Sequence, residues 1–104
     1  NEVEAAKWYR KASEQGHAKA QFNLGLALEN GQGVAKNEAD AAMWYRKAAE
    51  QGYALAQCNL GFALADGQGV AKNEVEAVKW FRKATEQGIV DAQCSLGLML
   101  MNGQ

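Results

Sequence analysis

Trp8, Trp44 and Trp80 stand 36 residues apart, and Gly16, Gly52 and Gly88, Gly25, Gly61 and Gly97, and Gly31, Gly67 and Gly103 keep the same interval. A fixed period of this length constrains the fold more than any other feature of the chain. Each unit is too small to bury its own apolar face, so units must stack and cover one another. The registers are 1–36, 37–72 and 73–104, opening NEVEAAKWYRKASEQG, NEADAAMWYRKAAEQG and NEVEAVKWFRKATEQG. The whole chain is therefore expected to be one repeat array with no second domain. It opens at Asn1, and its last register stops short of a full period, so we expect a piece of a longer array.

Within each period the residues call for two helices. Ala, Leu, Glu, Lys and Gln dominate, proline is absent, and these residues favour helix over strand. Asn37 is suited to cap the first helix, with Asp40 three residues on as a capping-box acid; Asn1 with Glu4 and Asn73 with Glu76 repeat the arrangement. Gly52 follows as a C′ residue. A second helix from about Ala54 to Asp66 ends at Gly67, and the tract Gly67 to Lys72 leads to the next asparagine. The expected fold class is all-α, a solenoid of antiparallel helix pairs with six helices in total.

The two helices of a pair differ in their faces. In the first, Ala41, Trp44, Tyr45 and Ala48 share one side, while Met43, Arg46, Lys47 and Glu50 lie elsewhere. In the second, Ala20, Leu24, Ala27 and Leu28 form one stripe, with Phe22 and Leu26 nearly opposite. A helix apolar on two sides must be covered on two sides, so the second helix is the inner one. Gly25, Gly61 and Gly97 interrupt it at a cost of about 1 kcal/mol each relative to alanine. Close approach of a neighbouring helix, one bearing Trp44 or Trp80, would offset that cost.

These residues resemble the Sel1-like repeat family, relatives of the tetratricopeptide repeat. The resemblance rests on Ala20, Leu24 and Gly25, then Gly31, Gly33 and Val34, then Ala41, Trp44, Lys47, Ala48, Ala49 and Gly52, and it repeats from Ala56 to Gly88. Leu28, Leu64 and Leu100 stand where the family has tyrosine, and Asn37 and Asn73 where it usually has an aspartate cap. The resemblance implies a right-handed superhelix with a concave face lined by inner helices. It also implies an adaptor that holds a protein or peptide partner.

Other functions lack their residues. Eleven basic and twelve acidic side chains are interspersed, so no basic footprint marks nucleic-acid binding. No apolar run reaches the roughly 18 residues of a membrane span. His17 is the only histidine, placed to pack at the start of an inner helix, and Cys58 and Cys94 share one register, so no metal set assembles. The two cysteines read as small buried hydrophobes, since equivalent stacked helices stand about 8–10 Å apart, too far for a disulfide. The Gly-Gln-Gly tract at Gly31 matches neither a Walker loop nor a dinucleotide fingerprint. Ser13 precedes Gly16 by three residues and Ser95 precedes Leu98, so neither begins a Ser-x-x-Lys nucleophile motif. No cofactor and no catalysis are expected, and Trp8, Tyr9, Trp44, Tyr45, Trp80 and Phe81 read as core aromatics.

Binding residues are sought where equivalent positions diverge. Lys19, Leu55 and Asp91 share one inner-helix register; Asn23, Asn59 and Ser95 share the next; Leu26, Phe62 and Leu98 follow; Asn30, Asp66 and Asn102 complete the strip. Helical geometry puts these positions on one side, between the buried stripes. We expect them to line the concave groove, with Phe62 as apolar anchor. A second expectation is head-to-tail self-association: the first outer helix lacks a preceding inner helix, and Leu98, Leu100 and Met101 lie on a last inner segment without a following outer one.

Overall fold

The computed structural model describes residues 1–88, which form five α-helices: α1 (Glu2–Glu14), α2 (Ala18–Asn30), α3 (Glu38–Glu50), α4 (Ala54–Asp66) and α5 (Glu74–Glu86). Helices α1, α3 and α5 are the outer type, and α2 and α4 the inner. The sixth expected helix falls outside the described residues, as does Cys94.

Each outer helix starts at its asparagine. The Oδ1 atoms of Asn1, Asn37 and Asn73 accept from the backbone N–H groups of Glu4, Asp40 and Glu76 at 2.9, 3.0 and 3.0 Å. The reciprocal half of the expected capping box is absent at the second and third caps. The backbone N–H of Asn37 instead donates to the Leu28 carbonyl, and that of Asn73 to the Leu64 carbonyl, each at 2.8 Å. Each cap is thereby tied to the end of the preceding inner helix. This leaves the Glu76 carboxylate open to accept from Arg46 at 2.7 Å and from the Trp80 indole N–H at 3.2 Å. The Arg46 bond, seconded by Trp80, holds the Glu76 carboxyl below its ordinary range despite partial desolvation. The register partners Arg10 and Asp40 form no ion pair among the described residues, in keeping with an aspartate one methylene shorter.

Inner helices end on glycine. Gly67 takes φ +72°, and its N–H reaches the Ala63 carbonyl. Gly69, two residues on at φ +73°, serves a different purpose. Its backbone lies against the carbonyl of Glu38 and the N–H of Ala39, so close that a Cβ would overlap them. Gly33 repeats this contact on Glu2 and Val3. The loop leaving an inner helix thus touches the start of its own outer helix, and the two helices of a pair run antiparallel.

The other end of each pair is held by a glutamine chain that sequence reasoning overlooked. The buried Gln21 donates to the Ser13 carbonyl at 3.2 Å and accepts from Gln51 at 2.8 Å. The buried Gln57 donates to the Ala49 carbonyl at 3.1 Å and accepts from Gln87 at 2.8 Å. Each chain joins the last turn of one outer helix, the adjacent inner helix and the end of the next outer helix. A buried amide requires such partners.

Inner helices are covered on both sides, as their patterns demand. Helix α2 packs on α1 and more extensively on α3; α4 packs on α3 and more extensively on α5. Leu24, Leu28, Leu60 and Leu64 lie buried between them with Tyr45, Trp44, Trp80 and Phe81. Cys58 is buried too. The inner-helix glycines do meet the following outer helix, but not its tryptophan. A Cβ on Gly25 would stand 2.5 Å from Tyr45 Cε1, and one on Gly61 would stand 2.6 Å from Phe81 Cε1. The residue after each tryptophan points its ring at the glycine, because one step along a helix turns the side chain by about 100°.

The expected aromatic core fails in α1, where Tyr9 is only half-buried and Trp8 is exposed. Trp44 and Trp80 are 7% and 6% exposed, whereas Trp8 is 67% exposed. The later tryptophans are covered once an earlier helix pair lies before them; α1 has none among the described residues. His17, expected to pack, is exposed at the N-cap of α2, and its side chain forms no cap hydrogen bond.

Candidate functional site

With two sides of each inner helix committed to packing, one partly wet strip remains. On α2 it carries Lys19, Asn23, Leu26 and Asn30; on α4 it carries Leu55, Asn59, Phe62 and Asp66. Spacings of four, three and four keep each set on one side of its helix. The ends of the strip, Lys19, Asn30, Leu55 and Asp66, are exposed, and the middle residues are half-buried. Asp91, Ser95, Leu98 and Asn102 lie outside the described residues.

Phe62, expected as an apolar anchor for a ligand, has a structural task as well. Its ring meets Phe81 edge-on, with centroids 4.9 Å apart and planes at 71°. Leu26 likewise rests against the core. The middle of the strip is therefore a floor attached to the core, and its exposed ends offer the freer side chains. In the first pair, Asn23 and Leu26 join Ala5 and Tyr9 of α1 around a cavity of about 190 Å³.

A second feature went unread in the sequence. The Tyr45 hydroxyl donates to Glu29 Oε1 at 2.5 Å, across the contact between α2 and α3. Burial, then this carboxylate, raises the Tyr45 pKa well above the ordinary tyrosine value, while Asn59 pulls the other way. One period later the outer-helix residue is Phe81 and the residue in the Glu29 register is Ala65. A buried hydroxyl needs an acceptor and a phenyl ring does not. The paired change from Tyr with Glu to Phe with Ala was the available signal.

No three His, Cys, Asp or Glu side chains gather as a metal site among the described residues. No helix there is long and apolar enough to cross a membrane.

A family model for the Sel1 repeat matches residues 1–17, 18–53, 54–89 and 90–104. Its full units join each inner helix to the outer helix that follows, the more extensive of the two packings, so the same period is framed differently from 1–36 and 37–72. Among solved structures, a Sel1 repeat protein from Oxalobacter formigenes is 46% identical, with a TM-score of 0.91 over 100% of this chain and 42% of that one. The protein c5321, a protective antigen of uropathogenic Escherichia coli strains with an SLR fold, is 38% identical, with a TM-score of 0.76 over 97% of this chain and 26% of that one. Cysteine rich protein B of Helicobacter pylori is 33% identical, with a TM-score of 0.84 over 92% of this chain and 71% of that one. The chain spans less than half the length of the first two. No curated protein matches it.

Proposed function

The chain belongs to the Sel1 repeat family, and on that premise we propose that it is a non-catalytic scaffold holding a protein or peptide partner along the strip of its inner helices. One observation carries this reading. Leu24 and Leu60, and Gly25 and Gly61, repeat unchanged where helices pack, whereas Lys19 gives way to Leu55, Leu26 to Phe62 and Asn30 to Asp66 on the wet strip. The tightest helix contacts tolerate little change from unit to unit, whereas recognition of an irregular partner requires difference. Asn23 and Asn59, one period apart, offer amides to an extended backbone, and Lys19 and Asp66 set a charge preference. Asp91, Ser95, Leu98 and Asn102 would continue the strip.

The test replaces exposed residues and leaves Phe62 intact, because truncating it would also loosen Phe81. Lys19→Glu, Leu55→Glu and Asp66→Lys together should weaken capture of the protein partner by at least about tenfold. Helicity and melting temperature should stay within a few degrees of the parent. Equal capture by parent and variant would remove the strip from the site.

A second reading is head-to-tail self-association, favoured by the exposure of Trp8 where Trp44 and Trp80 are covered. Light scattering should then show mass rising with concentration, and Trp8→Glu should abolish the rise. A mass equal to one chain at every concentration removes this reading.

A further inference from the structure

Where α2, α3 and α4 meet, in the interior of the array, three polar side chains converge on one oxygen. The Tyr45 ring of α3 lies on Gly25 of α2, and its hydroxyl donates to Glu29 Oε1 of the same inner helix at 2.5 Å. From α4, Asn59 faces this hydroxyl as a hydrogen-bond donor, opposing the effect of Glu29 on it. A carboxylate that accepts on one oxygen keeps the other for a further donor, and an amide that turns its N–H inward keeps its carbonyl as an acceptor. Glu29 forms no ion pair among the described residues. Glu29 and Asn59 are half-buried, and so are Leu26, one turn before Glu29, and Phe62, one turn after Asn59. In the next unit the registers of Tyr45 and Glu29 hold Phe81 and Ala65, so the packing of helix pairs does not require this polar set.

We propose that this seam takes an arginine side chain of the bound peptide, its guanidinium bridging the second Glu29 oxygen and the Asn59 carbonyl. The two acceptors flank a single hydroxyl, a span on the order of 5 Å. A planar guanidinium with five N–H donors covers that span, whereas an ammonium meets it only as a point charge. A half-buried carboxylate with no cation beside it attracts an incoming positive charge more strongly than an exposed one, because less water screens it. Leu26 and Phe62 offer apolar surface to the arginine methylenes. The inference rests on the inner-helix strip as the binding face and adds the chemistry of the partner.

The probes are two blocked pentapeptides of glycine and alanine, one with a central arginine and one with citrulline, its neutral isostere. Each is titrated into the full isotope-labelled chain, and binding is read from the NMR shift of the Asn59 side-chain amide. The arginine peptide should bind at least about tenfold more tightly, the difference typical of hydrogen bonds to a charged group. Glu29→Gln keeps an acceptor for the Tyr45 hydroxyl but removes the charge, and the preference should fall below about threefold. Glu29→Ala with Tyr45→Phe, the pair already present at Ala65 and Phe81, should do the same. Glu50→Gln makes the same charge change at an exposed outer position and should leave the preference intact. Absence of a saturable shift at Asn59, equal binding of the two peptides, or a preference that survives Glu29→Gln would overturn the inference. The seam and the strip fail separately. No arginine preference, with partner capture still lost in the Lys19, Leu55 and Asp66 variant, removes the seam alone; undiminished capture by that variant, with the preference present, removes the strip alone.

Discussion

Gly69→Ala is expected to cost about 3–4 kcal/mol, the sum of a backbone penalty and a collision. At φ +73° an L-residue is strained by about 1–2 kcal/mol. The added methyl would also overlap the Glu38 carbonyl and the Ala39 N–H. Neither is the movable tip of a side chain. Both belong to the first turn of α3, which Asn37 holds in place. The loop must therefore back away from α3, and the bond from Asn73 N–H to the Leu64 carbonyl is at risk. Thermal unfolding followed by circular dichroism should show a midpoint lowered by on the order of 20 °C. Gly67→Ala supplies the comparison: φ is +72°, but the nearest atom to its Cβ would be Lys72 Cβ at 3.4 Å, with the Lys72 backbone at 3.6 Å and beyond, in ordinary contact. Equal losses at the two positions would show that conformation alone matters and that the loop does not touch α3 as described.

Gly61→Leu is the second large effect, expected at about 3 kcal/mol of destabilisation even though leucine is the better helix former by nearly 1 kcal/mol. The Cβ alone would stand 2.6, 2.8 and 2.9 Å from three atoms of the Phe81 ring. That ring is fully buried and braced by Phe62, so it has no open side to turn into. A double-mutant cycle identifies the neighbour. Phe81→Ala empties the space that the leucine needs, so the combined variant should be more stable than the sum of single losses by at least about 1 kcal/mol. Additive losses with Phe81→Ala, together with coupling to Trp80→Ala, would instead put tryptophan over the glycine.

Both effects arise from glycines that repeat without change, and they show how far pattern alone reaches. The tandem glycines announced the close approach of a neighbouring helix bearing Trp44 or Trp80, and the structure shows that it is the following outer helix. Which ring of that helix arrives depends on its rotation about its own axis. Periodicity constrains that angle only to the width of an apolar stripe, and Trp44 and Tyr45 both fall within it. The strip of candidate binding residues was legible because helical spacing alone puts Lys19, Asn23, Leu26 and Asn30 on one side. The half-burial of Phe62 was not, because it depends on Phe81 in another helix.

By itself the sequence determined the period, the helix pairs, the asparagine starts, the glycine stops and the division into inner and outer helices. These are local properties, set by residues within a turn or two of one another. Only the tertiary structure decided that Asn37 and Asn73 give their N–H groups to the preceding inner helix, and that Glu76 therefore serves Arg46 and Trp80. The same holds for Gln21 and Gln57 clamping successive outer helices and for Tyr45 with Glu29. Those partners stand one helix apart, and their meeting is a matter of crossing angle and rotation, quantities that a periodic string of residues leaves open until the helices are packed.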